Sequence, residues 1–379
     1  GALFWMIVAA FFGMATKYSE GVLAIKYRTV DEEGHALGGP FYYIERGMGP
    51  KWKWLAKLFA VFGMGAGLLG IGTITQVNGI ATAVQNFADP EREHLVTLFG
   101  NEYSISIVIT AVVVAGATAL VVIGGIKRIA SVTTIIVPFM AVAYVLICLT
   151  ILIYNIKAFP AAIVEVVQSA FGLRAVAGGA LGAMMAAMQN GVARGIFSNE
   201  AGLGSAPIAA AAAKTHTSVR QGLISMTGTF IDTIVICTMT GTTLVITGAA
   251  DLGLEGAECT AYAFGQGLPW SPKVGAFVLM MCLIFFAFTT ILGWDYYSER
   301  CLEYLTGKKK GVLMTYKWLY IIAVLIGSFL TVEAVWTIAD IFNGLMAIPN
   351  LIALVTLSGV VVKETKDFFN REAHLELRS

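Results

Sequence analysis

Long apolar runs separated by short polar connections dominate the pattern along this chain. Crossing the roughly 30 Å hydrocarbon core of a bilayer takes about 20 residues at 1.5 Å per residue. Nine runs are close to that length or longer, so the pattern predicts nine membrane-spanning helices. They are Ala2–Ala24, Trp54–Phe87, Ser104–Ile123, Ile129–Tyr154, Met184–Ala213, Gly222–Gly248, Val274–Trp294, Val312–Leu330 and Val335–Val362.

Composition supports an all-α, polytopic membrane protein. The 379 residues are 57% hydrophobic and 13% charged, which is too apolar for a water-soluble domain. The net charge of +1 offers no basic face for nucleic acid. We therefore expect membrane lipid and small solutes as partners, and composition leaves the oligomeric state open.

Lysine and arginine are concentrated in alternate connections, which predicts the orientation of the chain. Basic residues follow the first, third, fifth, seventh and ninth runs, as with Lys127 and Arg128 after the third. The N-terminus is therefore expected outside and the C-terminus in the cytoplasm. Residues 38–52, punctuated by glycine and proline, are expected along the inner membrane surface, and 159–171 similarly outside.

Polar and helix-breaking residues interrupt the fifth run at FSNEAGLGSAP, Phe197–Pro207. Ser205 precedes Lys214 by nine residues, about 14 Å at helical rise, which is near the bilayer midplane. Non-helical backbone at that depth is tolerated where protein or a water-filled cavity satisfies it, and it can present amides and carbonyls to a solute. The alternative is a structural kink with glycines used for close packing.

Further polar residues lie at similar predicted depth. Thr289 and Thr290 precede Arg300 by about 15 Å at helical rise and offer the oxygen ligands that hard cations prefer, although such threonines often bond their own helix. Gln76 and Asn78 could line a pocket or bond a neighbouring helix. An intramembrane carboxylate such as Asp232 is a functional candidate, with pairing to a residue such as Arg194 as the alternative. Weaker candidates of the same kind are Asp340, Asn343 and Asn350.

Four segments in this order, GPFYYIERGMG, GVARGIFSNEAGLGSAPIAAAAAKT, TFIDTIVICTMTGTT and FAFTTILGWDYYSER, resemble the alanine or glycine:cation symporter family over nearly the whole chain. That family is similar to the LeuT-type transporters, with two inverted five-helix repeats and a substrate–sodium site at their junction. The resemblance implies one transport domain over 1–379, in which 1–157 complete the first repeat, 158–363 form the second and 364–379 form a cytoplasmic tail. The first core helix, a broken helix with a GTGNIAGV-like motif, is missing from this chain and expected before it.

The resemblance also implies site residues. The substrate would contact the unwound stretch and two pocket walls, with Trp294 limiting side-chain size: Gln76, Phe197, Ser198, Asn199, Gly202, Gly204, Ser205 and Trp294. Sodium would be held by the hydroxyls of Thr289 and Thr290 and the backbone carbonyl of Phe286. Sodium would be the coupling ion, and no organic cofactor is implied.

The expected function is import of alanine or glycine with sodium by alternating access across a cell (inner) membrane. The alternative is a proton-coupled carrier that uses Asp232 or Glu200 as the relay; a channel or a structural membrane subunit is disfavoured. An enzyme is not expected, because no nucleophile or metal set is visible and the histidines fall in connections or the tail: His35, His94, His216 and His374.

Overall fold

The structure, a computed structural model, describes residues 1–30, 36–98, 100–173, 179–215, 217–254 and 256–376, without the side chains of 126, 127 and 372–376. His35 and His216 lie outside these residues. The α-helices are α1 Ala2–Lys26, α2 Pro40–Tyr43, α3 Lys53–Leu69, α4 Ile74–Ala88, α5 Ile105–Val122, α6 Ile126–Tyr154, α7 Phe159–Ala170, α8 Ala180–Asn199, α9 Ala206–Ala210, α10 Ser218–Thr229, α11 Thr238–Ile246, α12 Gly256–Gly267, α13 Pro272–Thr306, α14 Lys310–Gly327, α15 Val332–Thr356 and α16 Ser358–Glu376.

Eight helical stretches in the described part are long and apolar enough to cross a membrane. They match eight of the nine predicted spans. The fifth predicted span is not among them, because α8 carries polar residues such as Asn190 and Arg194 and ends at Asn199, before the short helix α9. The sequence predicted an interruption in this run, and the end of α8 soon after Phe197 confirms it.

The predicted second span is also discontinuous. Helix α3 ends at Leu69 and α4 begins at Ile74, with turn residues 70–73 between them. The amide of Gly72 donates to the carbonyl of Ala66 at 3.3 Å, which closes a wider turn than an α-helix does. A third irregularity lies in the sixth span, where residues Phe230–Cys237 form a π-helix between α10 and α11. Wide turns of this kind are frequent at functional sites.

The stretch 38–52 packs one face against the protein. It forms α2, a π-helical turn Ile44–Met48 and a 3₁₀ turn Pro50–Trp52, and the side chains of Phe41 and Tyr43 are 1% and 0% exposed, whereas Arg46 and Lys51 are exposed. Aromatic side chains at these positions pack into the protein because they bury large apolar areas. The segment is therefore amphipathic, and its position at the inner membrane surface stays a prediction.

Four short strands accompany the helices as two antiparallel hairpins. Thr29–Val30 (β1) pairs with Ala36–Leu37 (β2), and Leu95–Leu98 (β3) pairs with Asn101–Ser104 (β4). The second hairpin fills the connection between α4 and α5. Two further 3₁₀ turns, Ile156–Ala158 and Ala249–Asp251, lie in connections.

The largest buried cluster joins α2, α3, the segment after α8, α13 and α15, and its bulkiest members include Phe59 and Trp294. The outward faces of the long helices are apolar. Phe12, Ile135 and Val355 are 73–75% exposed. A water-soluble surface does not carry such side chains on helix after helix, so these faces are covered by lipid. The chain is a multi-pass helical membrane protein.

Candidate functional site

A cavity of about 400 Å³ lies among α4, α8, the π-helix, α12, α13 and α15. Five of the predicted site residues, drawn from four different elements, line it: Gln76, Phe197, Ser198, Asp232 and Phe286. The remaining wall is mostly apolar and includes Tyr144, Leu279 and Trp336. A largely apolar pocket with a few convergent polar groups is the usual form of a small-molecule site.

The interrupted segment follows directly on Phe197 and Ser198, which line the cavity. We call residues 199–205 the floor, although none of them lines the cavity itself. Asn199 is 8% exposed and Ser205 is fully buried. The backbone turns through a left-handed residue at Glu200 and again at Gly202 and Gly204, whose φ angles are +86° and +85°. Glycine adopts this conformation without the steric cost that a Cβ atom adds, which explains both glycines.

A short chain of hydrogen bonds connects the cavity wall to the floor. The hydroxyl of Ser198 donates to the Asp232 carboxylate at 2.8 Å, and Thr233 donates to the same oxygen at 2.9 Å. The Asn199 side-chain amide donates to the Thr233 hydroxyl at 3.0 Å, while its carbonyl oxygen accepts the Ala201 amide at 2.9 Å. Asp232 is thus anchored in the π-helix beside the end of α8.

Arg194 is not the partner of Asp232 that the sequence suggested as an alternative. Its guanidinium pairs with Asp340 and lies over the ring of Trp336 at 4.6 Å from the centroid. The Asp232 carboxylate therefore lies on the cavity wall, and in the described part of the chain its hydrogen-bond partners are the hydroxyls of Ser198 and Thr233.

Gln76 lies at the second discontinuity, because its side-chain amide donates to the carbonyl of Ile71 at 2.9 Å. Asn78 also lines the cavity and donates to the carbonyl of Leu330 at 2.7 Å, so it makes the interhelical bond considered from sequence. Trp294 is 2% exposed and does not line the cavity. Its indole donates to Glu200 at 3.0 Å, and Gly72 packs against its Cβ. Trp294 thus contacts both discontinuities.

The two threonines proposed for sodium bond carbonyls of their own helix. Thr289 donates to Phe285 at 2.9 Å and to Phe286 at 3.0 Å, and Thr290 donates to Phe286 at 2.9 Å. Two hydroxyl oxygens therefore surround the Phe286 carbonyl, as the bonding alternative predicted. A hydroxyl that donates one hydrogen bond retains lone pairs for another partner. Phe286 lines the cavity, whereas Thr289 and Thr290 do not.

Among the described residues, three charged residues buried within membrane-spanning helices were missed from the sequence. Lys17 and Glu20, on α1, are 8% and 1% exposed, and Asp295, on α13, is fully buried. Neither carboxylate oxygen of Asp295 has a hydrogen-bond partner in the described part of the chain. The available signal was their position: each interrupts or directly follows an apolar run, where a charge is costly and usually functional.

A second cavity, of about 440 Å³, lies between α2 and the end of α13. Its lining includes Arg300 and Glu303, which pair at 2.7 Å, and Glu45, which pairs with Lys53 at 2.9 Å, and it contains none of the predicted site residues. Within the described ranges, no group of three or more histidine, cysteine or acidic residues could hold a metal ion. The first cavity is therefore the better candidate for the solute site.

An interrupted helix, a largely apolar cavity with a few polar groups beside it, and lipid-covered outer faces are typical of a membrane transport protein. The sequence profile of the Sodium:alanine symporter family matches residues 1–378. The chain belongs to this family, whose members are transporters and not enzymes, and it is a sodium-coupled amino-acid symporter.

Individual relatives cover almost the whole chain. An uncharacterized transporter of Haemophilus influenzae is 53% identical over 98% of this chain and 77% of its own length. The sodium/alanine symporter AgcS of Methanococcus maripaludis is 48% identical over 97% and 77%. The amino-acid carrier protein AlsT of Bacillus subtilis is 36% identical over 97% and 73%.

Proposed function

We propose that this protein imports a small neutral amino acid, alanine or glycine, together with sodium by alternating access in a cell (inner) membrane. The observation that carries the proposal is the cavity whose polar wall ends at the interrupted helix, with Ser198 and Asp232 bonded to each other at 2.8 Å. The name of the 48% identical relative supports alanine as a substrate. The N-terminus of the chain would face outside and the C-terminus the cytoplasm.

The helical core would be arranged as two inverted repeats, with residues 1–157 in the first, 158–363 in the second and 364–379 as a tail. Discontinuous helices at such a junction present backbone groups and helix ends to charged substrate groups. The two discontinuities at 70–73 and after α8 lie on either side of Trp294, which supports a junction there.

A zwitterionic amino acid would lie between the end of α8 and α4. Ser198 and Gln76 offer hydrogen bonds to its carboxylate, and Asp232 offers a counter-charge to its ammonium group. Asn199, Gly202, Gly204 and Ser205 would shape the floor, and Trp294 would set its depth from below.

Sodium would bind where Thr289, Thr290 and the Phe286 carbonyl provide three oxygen atoms. Sodium prefers oxygen ligands, and the two hydroxyls can turn their lone pairs toward a cation when they release the Phe286 carbonyl. Difference in sodium affinity between the two accessible states would couple the ion gradient to uptake.

The test is uptake of radiolabelled alanine and glycine by the full-length protein in proteoliposomes. An inward sodium gradient should drive accumulation, and a potassium-matched control should not. An inward proton gradient without sodium is a third condition. Accumulation in that condition alone would replace sodium by proton coupling through Asp232 or Glu200, and no uptake with no alanine or glycine binding would refute the substrate assignment.

Removal of the threonine hydroxyls tests the sodium site. Thr289→Ala and Thr290→Ala should each raise the sodium concentration for half-maximal uptake roughly 10- to 100-fold, because a hydrogen-bond-strength contact to a charge contributes about 1.5–3 kcal/mol. Thr150→Ala is the matched control, since Thr150 makes the same bond to its own helix, 2.8 Å to the Leu146 carbonyl, on exposed α6. Unchanged sodium dependence in both site variants would show that sodium binds elsewhere.

A further inference from the structure

Two charged residues of α1, Lys17 and Glu20, form hydrogen bonds to the floor. Lys17 and Glu20 lie one turn apart and are 8% and 1% exposed, in a helix whose other residues are mostly apolar. Residues three apart lie on the same face of a helix, so both side chains are directed toward one neighbour. Burial of two opposite charges near each other is far less costly than burial of either alone.

Each charge meets the end of the interrupted helix with the complementary sign. The Lys17 ammonium donates to the carbonyl of Asn199, the last residue of α8, at 2.6 Å. The carbonyl end of a helix carries partial negative charge, which a cation stabilises. The Glu20 carboxylate accepts the backbone amide of Gly204 at 3.1 Å. Residues 199–204 are therefore held at both ends from α1.

Glu20 also fastens this segment to another membrane helix. The same carboxylate oxygen accepts the side-chain amide of Asn350, on α15, at 2.7 Å, and that amide also donates to the Gly202 carbonyl at 2.9 Å. The hydroxyl of Tyr43 donates to the Asn350 oxygen. One buried network thus joins α1, the floor, α15 and the segment containing α2.

This network closes the molecule on the side of the floor away from the cavity. Phe41, Phe59 and Trp294 are among the bulky side chains of the cluster that surrounds it, and each is at most 2% exposed. None of residues 199–205 lines the cavity, and the side chains of this cluster are closely packed on their other side. Passage to that side requires α15 or the floor to move, and Glu20 bonds both.

We propose that Glu20 and Lys17 are positioning residues that lock the floor of the cavity, and that release of the Glu20–Asn350 bond opens the closed side during transport. The proposal rests on the transport function above and deepens it. Lys17 holds Asn199 at the end of α8 throughout the cycle, whereas the bond between Glu20 and Asn350 breaks and re-forms. All the hydrogen bonds that Glu20 makes to Gly204 and Asn350 converge on one carboxylate oxygen.

The native cysteines allow a test that does not require transport. Cys301 is fully buried in the cluster on the closed side, Cys237 lines the cavity, and Cys259, on α12, belongs to neither group and donates to the Ala249 carbonyl at 3.5 Å. Labelling by a small maleimide in proteoliposomes, resolved for each cysteine by mass spectrometry, therefore reports opening of the closed side directly. Cys259 is the internal reference.

Glu20→Ala removes the acceptor for Gly204 and Asn350, and it should raise the labelling rate of Cys301 at least about fivefold relative to Cys259, equivalent to about 1 kcal/mol. Glu20→Gln keeps an oxygen acceptor for both donors but removes the charge opposite Lys17, so it should raise the labelling rate of Cys301 clearly less than Glu20→Ala does. This rescue by the conservative variant distinguishes positioning from a general loss of packing. Glu364→Ala is the matched control, because Glu364 pairs with α1 through Lys26 at 2.6 Å but is partly exposed.

Labelling of Cys301 in Glu20→Ala within about twofold of the unmodified protein overturns the proposal, and so does equal acceleration in Glu364→Ala or in Glu20→Gln. If Glu20→Ala does not fold, Tyr43→Phe decides, since it removes only the hydroxyl bonded to Asn350. Acceleration of about two- to fivefold supports the lock, and no change overturns it. Because labelling needs no substrate, failure to transport alanine or glycine is separated from failure of the lock.

Discussion

Replacement of Gly204 by alanine tests the floor more sharply than any other single substitution. Gly202 and Gly204 both have left-handed backbone, with φ of +86° and +85°, so a Cβ atom costs about 1–2 kcal/mol at either. Their surroundings differ. A Cβ at Gly204 would lie 2.7 Å from the Phe59 ring and 2.8 Å from Pro40, whereas at Gly202 the nearest atom belongs to Leu351 at 3.3 Å.

The two rings beside Gly204 cannot retreat easily, because both are buried and Pro40 is part of the chain turn into α2. Overpacking of this kind adds about 1–3 kcal/mol. Gly204→Ala should therefore lower the free energy of unfolding by about 2–5 kcal/mol, and Gly202→Ala by only about 1–2 kcal/mol. Gly204→Ala should also reduce maximal uptake, because displacement of residue 204 lengthens its bond to Glu20.

Unfolding in mixed micelles, followed by tryptophan fluorescence, measures these differences. Gly248→Ala is the control, since Gly248 has a φ of +72° but a Cβ atom added there would have no neighbouring atom within 4 Å. The expected order of stability is Gly248→Ala and Gly202→Ala together, then Gly204→Ala clearly below. Equal losses at Gly204 and Gly248 would refute the packing argument, because only backbone strain would then be common to both.

Two further predictions concern carboxylates outside the cavity. Asp295→Asn should raise the free energy of unfolding by at least about 1 kcal/mol, because a buried charge without a hydrogen-bond partner is more costly than a neutral amide of the same shape. Unfolding in micelles measures the change. A loss of stability would instead indicate an ion bound at Asp295. In the connection after α4, the Ser104 hydroxyl, the Glu93 amide and His94 hold the pKa of Asp89 below its usual range. Its stabilising contribution is therefore present above about pH 3.9 and lost as the pH falls through the lowered pKa. The melting temperature of Asp89→Asn should lie below that of the unmodified protein at pH 6, and the gap should narrow as the pH falls below about 3.9. A gap that stays constant with pH would contradict this.

The spans and one helix interruption could be predicted from sequence because both depend on local composition. Eight apolar runs became helices of the expected length, and the polar and glycine residues between Phe197 and Pro207 ended α8 where predicted. The discontinuity at 70–73 was missed because its residues are themselves apolar or small. The π-helix Phe230–Cys237 was missed because no residue type distinguishes a π-helix from an α-helix in the sequence, and its wider turn depends on packing.

The site was predicted in part for a related reason. Wall residues such as Ser198 and Asp232 were found because a polar group in an apolar run is conspicuous. Glu20 satisfied the same criterion and was overlooked, and its importance depends on Gly204 and Asn350, which are 184 and 330 residues away in sequence. Periodicity and local motifs carry no information about contacts at that separation. Only the folded arrangement brings the three together.

Trp294 shows why the two discontinuities act as one unit. Its indole donates to Glu200 at the end of α8, and its Cβ packs against Gly72, where a built Cβ would lie 2.5 Å away. Movement of the floor therefore removes the acceptor of the indole, and displacement of Trp294 toward Gly72 presses on the 70–73 turn, to which the Gln76 side chain on α4 is bonded. The cavity wall on α4 and the floor after α8 cannot rearrange independently, because one rigid side chain fills the space between them.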